Sequence, residues 1–340
     1  MPTEPKKPEP GEILGQLIFG KCATMVCSVA AKLRIADKLA AGPKSAADLA
    51  AETNTHAPTL SRVLRCLAGF GVFTEAADGT FALNPAGELL RTGVPGSMRG
   101  MAEFCGDTWT WDAWGDLLYS VRTGKTAFDH VFNKGCFEYL AEHKDESEVF
   151  NEAMTGFSGM VAPAVVEAYD FSKFGTIVDV GGGHGKLLTT VLKENPGVKG
   201  IVYDAPHVAA GAADAIRSAG LADRCKAEGG NFFKAVPAGG DAYMMMHIIH
   251  DWPDDKATTI LKNCRKGVSP GGKLLVVDSV VAPPNEPDAA KILDLEMLIL
   301  PGGKERTEAE FVSLYAGAGW RLTRVVRTKS PKCVIEGVPV

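Results

Sequence analysis

A glycine-rich turn after an apolar run is the first place where this sequence can bind a ligand. The run Ile177–Val180 is mostly β-branched, Gly181, Gly183 and Gly185 follow at alternate positions, and Lys186–Leu192 has a helical pattern. Glycine is needed where the backbone turns sharply or approaches a ligand closely, and the free N–H groups of a helix start favour an anionic group. The spacing is G-x-G-x-G, whereas a dinucleotide site requires G-x-G-x-x-G. A turn without a ligand is the alternative.

Two further segment ends carry side chains suited to a nucleoside. Asp204 ends the next apolar run, where a carboxylate can accept hydrogen bonds from both hydroxyls of a ribose. A helix-capping aspartate is the alternative there. Asn231 follows the third run and could bond the edge of an adenine while Phe232 packs against its face; an Asx turn is the alternative. Together these positions favour an adenosine-containing ligand.

A histidine and two acids could perform acid–base chemistry. His250 follows the fourth run, Asp278 ends the fifth, and Glu305 lies just before the helix start predicted at Thr307. A histidine at this edge is well placed to act as a general base, and two carboxylates there would orient its ring and raise its basicity. The alternatives are a structural histidine and acids that cap helices or charge the surface.

The elements that must position these residues alternate between strand and helix from Thr176 onward. This alternation predicts a doubly wound α/β sheet, in which ligands bind at the carboxyl ends of the strands. The predicted strands are Ile177–Val180, Lys199–Asp204, Cys225–Gly229, Ala242–Ile248, Lys273–Ser279 and a last one near Lys332–Val338.

The first part of the chain is helical and has the outline of a winged helix. A capping-box-like start at Ser45 and a helix over Ala57–Phe70 precede the predicted hairpin Val72–Leu83. Only Arg62 and Arg65 are cationic on the second helix, which favours dimer packing over DNA binding. An aromatic-rich helical layer follows, either a core and linker or the roof of an aromatic substrate pocket.

Composition favours a cytoplasmic enzyme. The chain has 340 residues, 46% of them hydrophobic, which is enough for two cores. A net charge of -5 argues against nucleic acid as a partner. The eight cysteines are scattered without zinc spacing and are interpreted as reduced thiols. The N-terminus lacks a signal-peptide pattern, and we expect no membrane span.

The motifs together resemble a known enzyme family. Asp179–Gly185 has the form of motif I of S-adenosylmethionine-dependent methyltransferases, and Tyr203–Val208, His250–Trp252 and Gly302–Thr307 follow in order. The set is similar to plant-type small-molecule O-methyltransferases, the caffeic acid and hydroxyindole O-methyltransferase-like family with its bacterial members, over about residues 13 to 338.

The resemblance implies a fold and a set of roles. It implies a Rossmann-like α/β domain that binds S-adenosylmethionine and an N-terminal winged-helix domain that forms a domain-swapped homodimer. We expect a disordered tail at 1–12, the dimerisation domain at 13–98, a helical linker and substrate-pocket layer at 99–170 and the methyltransferase domain at 171–340. His250 is implied as the base, with Asp278 and Glu305 flanking it. The candidate cofactor residues are Ser158, Asp179, Gly181, Gly183, Gly185, Asp204, Asn231 and Phe232, and the candidate substrate residues are Phe104, Trp111, Phe150, Met154 and Met297.

The sequence also departs from the family pattern. Many relatives have an acid in place of Asn231 and a cation in place of Met246, so the adenine and carboxylate contacts differ in detail. Leu300 stands near a position where lignin-type relatives are polar, which argues against a monolignol substrate. Asp278 is shorter than the glutamate common there.

The predicted function is metal-independent methyl transfer from S-adenosylmethionine to a hydroxyl of a small phenolic or polyketide-like compound, as in secondary metabolism. One alternative is the same fold acting on a thiol or a non-phenolic group, or binding the cofactor without transfer. An alternative of another class is a winged-helix regulator that senses S-adenosylmethionine. Fold alone does not decide between them.

Overall fold

The chain divides into two units in the computed structural model, which describes residues 9–340. One unit comprises the chain up to Trp111 together with Lys144–Phe157, and the other comprises Asp112–His143 and Ser158–Val340. The layer predicted at 99–170 is therefore shared between both units. Residues 1–8 of the predicted tail lie outside the described residues, and the first helix begins at Pro10, before the expected boundary at 13.

The first unit contains one long helix, several shorter helices and a small sheet. Its sheet has the order β1-β3-β2 and is antiparallel. The Ser45 hydroxyl accepts the N–H of Asp48 at 3.1 Å, and the Asp48 carboxylate accepts the N–H of Ser45, so the predicted capping box is confirmed. The helices are α1 (Pro10–Lys32), α2 (Ile35–Leu39), α3 (Ala46–Thr53), α4 (Ala57–Gly69), α5 (Pro85–Glu88) and α6 (Arg99–Cys105), and the strands are β1 (Lys44–Ser45), β2 (Phe73–Glu75) and β3 (Thr80–Leu83).

Helix α1 presents an apolar surface that this chain leaves exposed. Leu17, Ile18 and Phe19 are 72%, 67% and 68% exposed. An 18-residue window of α1 has a mean hydropathy of 1.6 and is 11% buried, so the helix is long and apolar enough to span a membrane by length and composition alone. The expectation that no apolar run approaches a membrane span is therefore wrong for α1. Exposed apolar patches of this kind mark interaction surfaces.

Five helices follow before the large sheet and contribute to both units. They carry the aromatic-rich segment recognised in the sequence. Their bounds are α7 (Thr108–Gly115), α8 (Leu117–Thr123), α9 (Ala127–Phe132), α10 (Cys136–Glu142) and α11 (Lys144–Ala168).

The second unit is built on a seven-stranded sheet within the described residues, with the order β6-β5-β4-β7-β8-β10-β9. Strands β4 to β8 are parallel, and β10 is antiparallel to both of its neighbours. The strands are β4 (Thr176–Val180), β5 (Lys199–Asp204), β6 (Cys225–Gly229), β7 (Gly240–Met246), β8 (Val268–Asp278), β9 (Trp320–Arg327) and β10 (Cys333–Pro339). The helices are α12 (Lys186–Glu194), α13 (Pro206–Ser218), α14 (Asp254–Gly267), α15 (Ala290–Ile299) and α16 (Glu308–Gly317). A 3-10 turn lies at Ile249–Asp251.

The large sheet is built from the apolar runs that the sequence analysis identified as strands. The central strands are continuous apolar runs because helices cover both faces of a parallel sheet, and residues such as Val178, Met245 and Val276 are fully buried. The predicted bounds of β5 and β6 are those observed. The prediction for β7 was wrong at its end, because the strand stops at Met246 and His247 has a left-handed φ of 59°.

Candidate active site

The glycine turn joins β4 to α12 as the sequence predicts. Gly181, Gly183 and Gly185 have φ values of 69°, 56° and 75°, a region that favours glycine. A Cβ at Gly181 would clash with Ile248, and one at Gly185 would lie 2.8 Å from Val202 Cγ2. At Gly183, no described atom lies within 4 Å of the corresponding point. Gly181 and Gly185 thus pack against protein, whereas Gly183 faces open space that a ligand can fill.

Asp204 connects the end of β5 to this turn. Its Oδ2 accepts the N–H of Gly183 at 2.8 Å, and its Oδ1 accepts the N–H of Ala205 at 2.6 Å. Asp179, at the end of β4, is 2% exposed, and burial together with the charge of Asp204 raises the pKa of Asp179 to about 7. Two carboxylates and an open glycine turn therefore share one edge of the sheet, which fits the ribose and amino-acid parts of S-adenosylmethionine.

The segment after β6 contains an Asx turn, which was the alternative to an adenine contact at Asn231. Asn231 Oδ1 accepts the N–H of Phe233 at 2.9 Å, which is an Asx turn. The N–H of Gly230 donates to the carbonyl of Asp204 at 2.8 Å, so Asn231 follows a residue that is bonded to Asp204. The Phe232 ring packs edge-on against Phe233 with centroids 4.8 Å apart. An adenine contact by Asn231 and Phe232 stays a prediction.

Ser158 is the last candidate for cofactor contact and lies on α11. Its neighbour Gly159 approaches Lys186, the first residue of α12, because a Cβ at Gly159 would lie 3.8 Å from Lys186 Cε. Gly159 thus lies near the Lys186 side chain, and a cofactor contact by Ser158 stays a prediction.

The histidine and the two acids come together at the ends of β7 and β8. His250 lies in the 3-10 turn and is 6% exposed. Its Nδ1 lies 2.7 Å from Glu305 Oε1 and 3.9 Å from Asp278 Oδ1. Glu305 therefore makes the direct hydrogen bond, whereas Asp278 acts on the ring through its charge.

These contacts determine the protonation state of the ring. A carboxylate can only accept, so Nδ1 carries the proton that bonds Glu305 and Nε2 keeps its lone pair in the neutral ring. Burial lowers the pKa of His250, but Asp278, Asp251 and the bond to Glu305 outweigh burial and raise that pKa overall. Burial and the charge of Glu305 raise the pKa of Asp278, although His250, Lys332 and Arg306 oppose this rise. Neither oxygen of Asp278 has a hydrogen-bond partner within residues 9–340.

The loop before α16 is folded directly onto the histidine. The N–H of Lys304 donates to the His250 carbonyl at 2.9 Å, and a Cβ at Gly303 would clash with that same carbonyl. The buried guanidinium of Arg306 donates to the carbonyls of Ile249 and Trp252 at 3.0 and 2.9 Å. The Gly-Gly-Lys-Glu-Arg segment therefore positions the turn that carries His250 as well as supplying Glu305.

Three groups at this site were not predicted from the sequence. Lys332 is fully buried, with Nζ 3.4 Å from Glu305 Oε1. Asp251 Oδ1 lies 3.5 Å from His250 Nε2, and burial raises the pKa of Asp251 to about 7 although His250 opposes this. The His247 ring lies 5.5 Å from that of His250. Of these three groups, only Asp251 could have been found from the sequence, because it belongs to the His-Asp-Trp motif.

Three side chains of the site are of the types that bind metal ions. One ligand atom each of His247, His250 and Asp278 lies within 4.8 Å of the others. The expected absence of a metal therefore stays a prediction.

The candidate substrate residues are divided between the two units. Phe104, Trp111, Phe150 and Met154 belong to the first unit and Met297 to the second. The Phe104 ring is 5.8 Å from that of Phe150 in an edge-to-face arrangement. The carbonyl of Met297 accepts the N–H groups of residues 302 and 303 at 2.8 and 2.9 Å, which ties Met297 to the loop that carries Glu305.

Comparison with known proteins decides the family. Residues 114–321 match the O-methyltransferase domain, and residues 15–93 match the O-methyltransferase dimerisation domain. The chain belongs to the O-methyltransferase family. It is 46% identical to a phenazine O-methyltransferase from Lysobacter antibioticus, over 96% of each chain. An 8-amino-8-demethylriboflavin N,N-dimethyltransferase from Streptomyces davaonensis is 37% identical over 98% of this chain and 97% of the relative.

A solved structure extends the comparison to the ligands. The O-methyltransferase of neocarzinostatin biosynthesis, in complex with S-adenosylmethionine and 2-hydroxy-5-methyl naphthoic acid, has a TM-score of 0.79 and 32% identity, over 94% of this chain and 96% of the other. The predicted family, fold class, enzyme class and S-adenosylmethionine cofactor are confirmed. The match to the dimerisation domain supports the predicted homodimer. The cytoplasmic location and the absence of nucleic-acid and membrane partners stay predictions.

Proposed function

We propose that this O-methyltransferase methylates a hydroxyl group of a small aromatic compound and that His250 is its general base. The observation that carries the proposal is the 2.7 Å contact between His250 Nδ1 and Glu305 Oε1. That contact keeps the proton on Nδ1 and leaves the Nε2 lone pair to accept the proton of the acceptor.

A base is needed because a phenol is a poor nucleophile at neutral pH. With a pKa of about 10, only about 0.1% of a phenol is ionised at pH 7. A positioned base that removes the proton as the oxygen reacts contributes about 10²- to 10⁴-fold in rate. His250 is suited to this step because its ring is buried, fixed and raised in pKa.

The two acids act on the charge that the proton transfer creates. When Nε2 accepts the proton, the ring becomes an imidazolium that bonds Glu305 and lies 3.9 Å from Asp278. Both negative charges stabilise that cation, and Glu305 also holds the ring plane. His250 is the catalytic residue, and Glu305 and Asp278 are positioning residues.

The cofactor residues lie at the neighbouring strand ends. When bound, S-adenosylmethionine would supply the electrophilic methyl group, whose bond to sulfur would break as the acceptor oxygen bonds the carbon, and the acceptor's proton would go to His250 Nε2. Asp204 would accept the ribose hydroxyls, and the open turn at Gly183 would allow the amino-acid part to approach the backbone. Ser158, Asp179, Gly181, Gly185, Asn231 and Phe232 complete the proposed set.

The acceptor class follows from the relatives and from the candidate substrate residues. Relatives are named for phenazine and riboflavin-type substrates, and one is solved with a naphthoic acid. We propose a flat aromatic acceptor, and a contact with it by each of Phe104, Trp111, Phe150, Met154 and Met297 stays a prediction. An amine acceptor is the second candidate, because one relative is named as an N,N-dimethyltransferase.

The test is a screen with methyl-labelled S-adenosylmethionine. Hydroxylated and amino-substituted members of the phenazine, naphthoate and benzoate series are compared in matched pairs, with and without EDTA. We expect label in the hydroxyl compounds and no effect of EDTA. Transfer to the amines alone would favour the second candidate, and loss of activity with EDTA, restored by a metal, would contradict the metal-free mechanism.

The homodimer is proposed to form through α1. Leu17, Ile18 and Phe19 are exposed in the single chain, and the dimerisation-domain match begins at residue 15, within α1. Light scattering should give twice the chain mass of 36.0 kDa, and the double variant Leu17→Asp/Phe19→Asp should be monomeric. A wild-type monomer that floats with lipid vesicles would instead assign this surface to a membrane.

A further inference from the structure

Lys332 is a fully buried lysine beside the proposed base. Its side chain is 0% exposed, and its Nζ lies 3.4 Å from Glu305 Oε1, whose side chain is also 0% exposed. Lysines are rarely buried completely unless they are paired, because removing the ammonium from water is costly. The Lys332 ammonium therefore lies next to Glu305, the acid that is hydrogen-bonded to His250.

The topology of the sheet explains how Lys332 reaches this place. Strand β10 is antiparallel to β8, and its first residue, Cys333, pairs with Asp278, the last residue of β8. The beginning of β10 therefore lies at the edge where the parallel strands end. Lys332, one residue earlier, joins Asp278 and Glu305 at that edge.

Lys332 offsets one of the two negative charges of the acid pair. With Asp278 and Glu305 ionised and Asp251 protonated, the sum with Lys332 is -1 for neutral His250 and zero for the imidazolium, and ionisation of Asp251 makes each sum more negative by one. Asp278 has no hydrogen-bond partner for either oxygen in the described part of the chain, so nearby cations must stabilise its charge. Without Lys332, the two sums would be -2 and -1.

Other titratable groups face the same space. Asp251 lies 3.5 Å from His250 Nε2, and the His247 ring lies beside His250. Arg306 acts on Asp278 from the adjoining loop, but its guanidinium is bonded to Asp254 and to carbonyls of the 3-10 turn. The Tyr315 hydroxyl donates to the Ile335 carbonyl at 2.8 Å. The Lys332 ammonium, by contrast, lies 3.4 Å from Glu305 Oε1.

We propose that Lys332 is a positioning residue that offsets the charge of the two acids and so keeps His250 able to accept a proton at neutral pH. The inference rests on the proposed role of His250 as the base. With too much negative charge around it, the ring would already be protonated and could not accept a proton from the acceptor. With Lys332 present, the acids can orient the ring without holding it permanently as a cation.

The electrostatics of the site agree with this role. Lys332 lowers the pKa of His250, against the rise that Asp278, Asp251 and Glu305 cause. It also opposes the effect of burial on the pKa values of Asp278 and Glu305, so it favours the ionised form of both acids. One buried cation thus acts on all three groups of the site.

The test measures the titration of His250 itself in the full-length protein. The chain has seven histidines, so a protein labelled with ¹³C at histidine Cε1 gives few signals, and His250→Ala identifies the one of interest. Lys332→Met, which keeps the chain length without the charge, should move the His250 midpoint upward by about one pH unit. Lys329→Met is the matched control, since Lys329 is 77% exposed and pairs with Glu167, and it should leave the midpoint unchanged.

A second variant covers the case in which Lys332→Met does not fold. The double variant Lys332→Met/Glu305→Gln removes one charge of each sign and should fold, with a His250 midpoint within about half a pH unit of the wild type. A folded Lys332→Met with an unchanged midpoint, or a double variant that fails to fold as the single one does, would overturn the inference and assign Lys332 to packing. Full turnover by His250→Ala would instead overturn the base proposal, and the titration would still report on Lys332.

Discussion

The two halves of the sheet edge are built in different ways. At the ends of β4 and β5, the backbone forms the candidate binding surface, with glycines in left-handed conformations and N–H groups bonded to Asp204. At the ends of β7 and β8 and the start of β10, the site is formed by buried ionisable side chains. Glu305 lies next to both His250 and Lys332, and Asp278 lies 3.9 Å from His250. The first half is suited to hold a cofactor by shape, and the second to move a proton.

This difference predicts separable defects. A backbone turn that faces open space should be sensitive to steric bulk and little affected by charge, whereas a buried charge cluster should be sensitive to any change of its charge balance. Substitutions in one half should therefore change cofactor affinity without changing the pH dependence of turnover, and substitutions in the other half should do the reverse.

The largest effect is expected at His250. His250→Ala should lower turnover by about 10²- to 10⁴-fold, because the base is lost, while affinity for S-adenosylhomocysteine stays nearly the same. Raising the pH should partly restore the rate as more phenolate forms without a base. Steady-state kinetics and calorimetry measure both quantities. Near-normal turnover in this variant would assign His250 to a structural role.

A larger side chain at Gly183 should weaken cofactor binding at the glycine turn. Gly183→Val should weaken binding of S-adenosylhomocysteine about 100-fold or more, because the side chain would fill the open space at a left-handed φ of 56°. Gly220→Val is the matched control, since Gly220 has a φ of 70° and no described atom within 4 Å of its Cβ position. Equal losses of binding in both variants, measured by calorimetry, would mean that strain and not occupancy of the space is responsible.

Substitution of Glu305 should lower turnover more than substitution of Asp278. Glu305→Ala should lower turnover by about 10- to 100-fold, because it removes a charged hydrogen bond, and Asp278→Ala should cost less than about tenfold, because Asp278 lies at 3.9 Å. Both should cost less than His250→Ala. Glu308→Ala, on the exposed start of α16, is the control. If Asp278→Ala costs more than Glu305→Ala, the charge of Asp278 matters more than the bond to Glu305.

The cofactor half could be predicted from the sequence and the proton-transfer half only in part. The glycine spacing and the apolar runs are local patterns, and they placed Gly181, Gly183, Gly185 and Asp204 at the correct strand ends. His250 and Glu305 were found through motifs, but the 2.7 Å contact between them spans 55 positions of the chain. Such a contact depends on the packing of the loop before α16.

Lys332 and β9 were missed for physical reasons. The sequence of β9, from Trp320 to Arg327, is rich in arginine and largely exposed because it lies at the edge of the sheet, so its apolar pattern is weak. Lys332 resembles any surface lysine until β10 is known to run antiparallel to β8. The end of β7 was misplaced because His247 takes a left-handed conformation that its sequence does not signal.

The most direct test of the central claim is the pH dependence of kcat/KM in the wild type and in His250→Ala, with the same phenolic acceptor. Because the pKa of His250 is raised above its usual value and only the neutral ring accepts a proton, wild-type activity should be constant at high pH. It should fall about tenfold per pH unit below a midpoint above about 6.5. The His250→Ala variant should lack this midpoint and rise with pH until the acceptor itself is ionised. Identical profiles in the two proteins would contradict the account.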